Sequence, residues 1–273
     1  MDIGTNEYIL GGSAIRYSLD PANLLYNNES YALNTGNKPI VFSAYTGLND
    51  SRYELKQRTN RLNNFEQTAI PSSARTTTLW DSKRINPLAQ FTVPRFNDPT
   101  YNSFNDIAFS GFEDEEKGNW QYNSANVGIV ASPTGRYAYS LSGGAISKAA
   151  LNTAITYILS YWSKNGTPVI TGGTIGTASV KRTYPGGWTY YEREVTGSSA
   201  LSISGSGYID ELRLHPISSS VKTFNYDPIL GMVSTTDVNG RTVYYEYDPM
   251  QRLWQVKDMD GNILTRTMYN FKN

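Results

Sequence analysis

The amino-acid sequence predicts an all-β protein, with a β-sandwich mid-chain, short repeated hairpins after it, and a weakly patterned, mostly β region before it. Three observations carry this. Tyr outnumbers Phe, 21 against 9, and Thr, Ser, Asn and Gly abound, which suits pleated, half-buried strands and tight turns. Short alternating runs recur between Gly, Pro and Asn breaks, while helical periodicity is scarce. A motif repeats at a spacing of 21 residues near the C-terminus.

The 273 residues suffice for one large domain or two to three small ones. Residues 1–102 are rich in Asn, Pro and Tyr, with expected strands at 8–10, 40–45 and 76–80. The stretch Ser51 to Asn64, with Leu55 and Leu62 seven apart, is the best candidate for a helix. Phe91 to Tyr101 contains Pro94 and Pro99 and reads as an extended linker, because proline cannot donate to a strand ladder. Residues 103–217 place strands near 107–112, 137–142, 157–163, 188–195, 200–204 and 208–214, separated by turn signals such as SPTG and PGG. That many strands in so short a span argues for a sandwich.

In residues 218–273, Phe224-Asn225-Tyr226-Asp227-Pro228 recurs as Tyr245-Glu246-Tyr247-Asp248-Pro249. The same shift carries Asp237 onto Asp258 and Gly240 onto Gly261, and a third unit begins near Met268-Tyr269-Asn270. Asn239-Gly240 and Asp260-Gly261 are hairpin turn signals, since Gly tolerates the positive φ such turns require. Each hairpin is too small to stand alone, so the units must stack.

Tyr247-Asp248-Pro249-Met250-Gln251-Arg252-Leu253 and Asp260-Gly261-Asn262 resemble the YD repeats of Rhs and teneurin-like proteins, with Gln251 where that pattern has Gly. The first copy lacks the Arg. In that family many hairpins wind into a closed shell, which two or three copies cannot form. The middle region resembles the galactose-binding-like jelly rolls of carbohydrate-binding modules. The matching residues are Gly111-Phe112-Glu113, Trp120, Thr156 to Trp162, Gly187 to Tyr191 and Tyr208 to Leu214. Together the resemblances imply a jelly-roll β-sandwich followed by antiparallel YD-repeat hairpins.

The jelly-roll resemblance also implies a structural calcium held by Glu113 and Asp210, with loop carbonyls completing a hard-oxygen shell. Two ordinary acids are the competing reading. Trp120, Tyr122 and Trp162 are the candidate ligand-binding aromatics, because sugars stack on π faces; core packing is the alternative at each, and Trp188 reads as packing. His215 is the single histidine, beside Pro216 at a strand end, and reads as a boundary residue rather than a catalytic base. Asp227 and Asp248 read as turn-capping residues. Gly173 and Gly176 lie in a Gly-rich run with no following helix or Lys-Ser/Thr, which excludes a phosphate loop.

Lys plus Arg equals Asp plus Glu, 24 each, so nucleic-acid binding has no electrostatic basis. With no cysteine there are no disulfides, thiolate metal sites or thiol nucleophiles. No apolar run reaches the length of a membrane span, and the polar N-terminus carries no signal peptide. The expectation is a non-catalytic segment of a secreted Rhs/YD-repeat protein, extracellular or at the cell surface, joined to the remainder of a longer YD chain and serving surface display, adhesion or toxin packaging. The alternative is a carbohydrate-binding module for a surface glycan. A glycoside hydrolase or lyase comes third, needing only two spaced carboxylates such as Glu192 and Glu194.

Overall fold

A computed structural model describes residues 6–10, 13–20, 25–33, 53–69, 74–93 and 104–269. The fold is all-β and antiparallel, with no α-helix among the described residues. Nor does any helix among them have the length and apolarity to cross a membrane.

Seven strands come first: β1 (Asn6–Leu10), β2 (Ser13–Asp20), β3 (Leu25–Leu33), β4 (Tyr53–Leu62), β5 (Phe65–Ala69), β6 (Arg75–Trp80) and β7 (Pro87–Val93). Eleven short strands follow: β8 (Ala108–Ser110), β9 (Val127–Ile129), β10 (Tyr137–Ser140), β11 (Ile146–Lys148), β12 (Tyr157–Lys164), β13 (Pro168–Thr171), β14 (Thr174–Ile175), β15 (Ser179–Tyr184), β16 (Trp188–Thr196), β17 (Leu201–Gly205) and β18 (Tyr208–Pro216). The last five are β19 (Ser220–Asp227), β20 (Gly231–Thr236), β21 (Thr242–Tyr247), β22 (Leu253–Asp258) and β23 (Ile263–Arg266).

Strands β1–β7 and β19–β23 form one 12-stranded meander in chain order, broken only where β7 pairs directly with β19. The described strands before residue 94 and those after residue 219 therefore belong to the same sheet. Everything between β7 and β19 is an insertion that leaves and returns at neighbouring positions. The insertion folds as a sandwich-like unit. Its eight-stranded sheet runs β14-β16-β12-β18-β10-β9, with β15 on β16 and β8 on β18, and a three-stranded sheet runs β11-β17-β13. Tyr157, Leu159 and Tyr161 of β12 meet Ile146, Leu201 and Ile203 of the smaller sheet in the main core. The other face of the large sheet buries Trp162, Trp188 and Tyr190, with Met259 of the meander packed against them.

Two sequence expectations fail. Ser51 to Asn64 is not helical: β4 occupies Tyr53–Leu62, paired on both sides, and Asn63 and Asn64 make the turn into β5. Two leucines are too thin a stripe to hold a helix, and Asn63 at φ 50° serves the tight turn of a hairpin. Phe91 to Val93 is not linker but the end of an interior strand, hydrogen-bonded to β6 and β19. The remainder of the expected linker and the expected strand at 40–45 lie outside the described residues.

The hairpin turns share one design. In the loops starting at Asp237, Asp248 and Asp258, the first residue's N–H donates to the carbonyl four residues on, and its own carbonyl accepts from the N–H three residues on. Its carboxylate Oδ1 accepts from the N–H groups two and four residues on, at 2.8–3.0 Å. The fourth residue takes a positive φ in each: Gly240, Gln251 and Gly261. Asp81 closes a loop one residue longer in the same manner, with Arg84 at φ 57° and Oδ1 accepting from Ile85 N–H at 2.7 Å. The turn chemistry of the repeats thus also occurs before the insertion.

Gln251 holds a left-handed conformation that costs a side-chain-bearing residue about 1–2 kcal/mol, partly offset by the backbone freedom a glycine loses on folding. Gln251→Gly is therefore expected to raise stability by about 0.5–1 kcal/mol in urea unfolding. The converse pair separates strain from packing. A Cβ at Gly261 meets nothing within 4 Å, whereas one at Gly240 falls 2.5 Å from the Tyr190 ring. Gly240→Ala should cost clearly more than Gly261→Ala, which should cost about 1 kcal/mol.

Candidate functional site at the junction of insertion and meander

Strand β18 has a bulge. Ser160 pairs with Arg213 but Trp162 pairs with Asp210, so β18 spends an extra residue at Glu211, which adopts φ 52°. The bulge brings Asp210, Glu211 and Arg213 together in the interior. Arg213 is fully buried and its guanidinium contacts Glu211 Oε1 at 2.5 Å and 3.1 Å. It also donates to the Asp237 carbonyl at 2.7 Å and the Thr223 hydroxyl at 2.9 Å, both on the meander. Thr223 in turn donates to Glu211.

A second set of bonds runs through the loop at Pro133 and Thr134. The Thr134 carbonyl accepts from Asn225 and from the Ser234 hydroxyl, and the Pro133 carbonyl accepts from the Tyr244 hydroxyl at 2.6 Å. The Thr134 hydroxyl donates to Asp210 Oδ2 at 2.6 Å. The junction is therefore a polar weld whose buried groups find partners across it, as burial demands.

The two expected metal ligands lie at this junction. Asp210 is wholly buried; Oδ1 accepts from Glu211 N–H at 2.6 Å and Oδ2 from Thr134. Glu113 Oε1 accepts from the N–H groups of Arg136 and Tyr137 at 2.7 and 2.6 Å. Burial, and then repulsion from Glu211 and Glu113, raises the Asp210 carboxyl well above its ordinary range. Glu113 is raised too, chiefly by burial, with its backbone donors opposing. Of these three carboxyls only Glu211 is paired with the buried guanidinium. Glu113 and Glu211 also line a cavity of about 20 Å³, large enough for one small ion or water. A hard cation beside these acids would favour their charged forms, although Leu88, Phe109, Phe112 and Phe224 also line the cavity. Among the described residues no three acidic or histidine side chains form a group able to hold a metal ion by themselves. A cation here would need loop carbonyls as well.

The candidate ligand-binding aromatics are packed. Trp120, expected on an open loop, is 1% exposed in the main core and donates from Nε1 to the Leu212 carbonyl. Trp162 lies under the meander. Tyr122 is half-buried against Phe112 and Tyr139, with Lys117 over its ring and Ser110 on its hydroxyl. Glu192 forms an ion pair with Lys181 at 3.1 Å.

His215 is buried on the same strand, with Nδ1 near the Ser219 hydroxyl and the Pro216 carbonyl. Burial pushes its imidazole down to about 4. Sequence reasoning gave Glu211 and Arg213 no role at this junction and missed Thr223. The clue present was the run Asp210-Glu211-Leu212-Arg213, four residues of an apolar strand with three charges. It also missed Lys148, buried beside Asp106, whose amine burial lowers to about 8 while Asp106 opposes the shift.

A scan against protein-family models finds no match to this chain, and a search of curated proteins finds none.

Removing Arg213 leaves Glu211 buried without its cation, so Arg213→Met should cost about 3–5 kcal/mol. The double variant Glu211→Gln, Arg213→Met should recover part of that loss in the same unfolding assay. The His215 proton gives a pH dependence of definite sign. The unfolded imidazole titrates near 6.5 and the folded one near 4. Between those values the unfolded chain binds more protons, so stability falls as pH drops, by up to about 3 kcal/mol. His215→Asn should flatten that part of the stability-versus-pH curve.

Proposed function

We propose that this chain is a non-catalytic scaffold segment of a secreted YD-repeat protein of the Rhs type, in which the hairpin array carries a jelly-roll module as an insertion. The observation that carries the reading is the direct pairing of β7 with β19 across the insertion. Aspartate-capped turns on both sides of that pairing support it. An array of stacked hairpins supplies a rigid surface with no need of catalytic groups, and the insertion is its displayed element.

The last strand favours continuation of the array. All four residues of β23 are exposed, as are Trp254, Met268 and Tyr269 beside it. An open strand edge with apolar neighbours is what further hairpins would cover. The reading is tested by the reading frame on either side and by the structure of the longer product. Further YD units continuing the meander are expected. An unrelated fold pairing with neither β1 nor β23 would sink it.

In this reading a structural calcium sits at Glu113 and Asp210, with Glu211 the added acid, and neutralises their surplus charge. Millimolar calcium should raise the melting temperature over chelator, with about 2.7 kcal/mol of stabilisation at a hundredfold excess over Kd. Asp210→Asn should abolish the calcium response. In chelator the same variant should be more stable than the parent at neutral pH. A raised carboxyl contributes stability only while protonated, and loses it as pH rises through the folded value. Equal melting temperatures with calcium and chelator would reject the ion.

A further inference from the structure

A cleft of about 650 Å³ opens where β15 of the insertion faces the meander, within the size range of small-molecule sites, about 300–1,000 Å³. Three cations line it: Arg182 from the insertion, Lys222 from β19 and Arg241 from the turn after β20. None of the three forms an ion pair with another described residue. Arg182 Nε has no hydrogen-bond partner. The same lining carries three acids, Asp237, Asp258 and Asp260, and the ring of Tyr245.

From this wall chemistry we propose that the cleft binds an acidic saccharide, a chain bearing uronic-acid carboxylates. The carboxylates take the three cations, and Arg182 Nε gains an acceptor. Sugar hydroxyls donate to Asp258 and Asp260, and the Tyr245 face takes a sugar's C–H groups. The mixed charge selects the class. A phosphate chain, a nucleic acid or an acidic peptide meets the cations equally well but offers the three aspartates mainly repulsion. A saccharide acid offers carboxylates to the cations and hydroxyl donors to the acids. The cleft borders the buried junction, since Asp237 lines it and accepts from Arg213 through its carbonyl, but its ligand is independent of the scaffold role.

The experiment is calorimetric titration of the full chain at low salt with tetragalacturonate. A neutral tetragalactan and a tetra-aspartate peptide serve as comparison ligands. Saturable binding of the tetragalacturonate is expected, at least about tenfold tighter than either comparison, a difference of about 1.4 kcal/mol. Arg182→Ala and Arg241→Ala should each weaken it about tenfold. Arg241 is exposed, so its variant should melt with the parent, which separates lost binding from lost fold. Absence of saturable binding, or binding indifferent to both substitutions, overturns the proposal. Equal affinity for tetra-aspartate overturns the saccharide assignment in favour of an acidic peptide.

Discussion

The structure depends on a short antiparallel pairing, Ser220 to Thr223 of β19 against Ala89 to Thr92 of β7. It makes a single sheet from two stretches of chain that the whole insertion separates. Thr223 concentrates the constraint. Its backbone is in the ladder, while its hydroxyl contacts Glu211 and Arg213 of the insertion. Slipping that pairing by one residue would turn Thr223 to the opposite face and take the hydroxyl from both partners. Strand register and the attachment of the sandwich are therefore set by the same residue.

The junction combines apolar and polar contacts. Phe109 and Ile107 of the insertion pack on Phe65, Leu79, Phe91 and Val221 of the meander. The Asp210–Glu211–Arg213 group lies beside that apolar contact. Apolar burial favours association without regard to orientation, whereas a fully engaged guanidinium accepts one geometry. The buried acids are costly in isolation, and their surplus charge is the feature a cation would relieve.

How much was legible in the sequence follows from the range of each signal. The hairpins at Asp237, Asp248 and Asp258 were readable because a capped turn is local: a few residues contain both the acid and the amides it caps. The six strands expected between 107 and 214 were readable for the same reason, each a short run bounded by local turn signals. Membership of residues 53–93 in the repeat sheet was not readable, because it rests on pairing to residues beyond the insertion. The turn at Asp81 is one residue longer and carries Arg84 where the repeat has Gly, which hid it from a search by spacing. Trp120 and Trp162 show why a site is harder to read than a strand. An aromatic flanked by polar residues looks exposed until the surface that covers it is known, and Trp162 is covered by Tyr184 and Tyr190 from other strands, in a cluster that Met259 joins from the far end of the chain.

The insertion has a consequence for synthesis. About 125 residues separate Val93 from Ser220. At roughly 5–20 residues per second, the ribosome takes about 6–25 s to deliver the partner that closes β7. During that interval the first half-sheet ends in an open, apolar edge, the kind that recruits neighbouring nascent chains. A sandwich that folds on emergence shortens the effective loop between the two strands and lowers its closure entropy. The inserted module thus also acts as a folding clasp, bringing the two halves of the sheet within reach of each other.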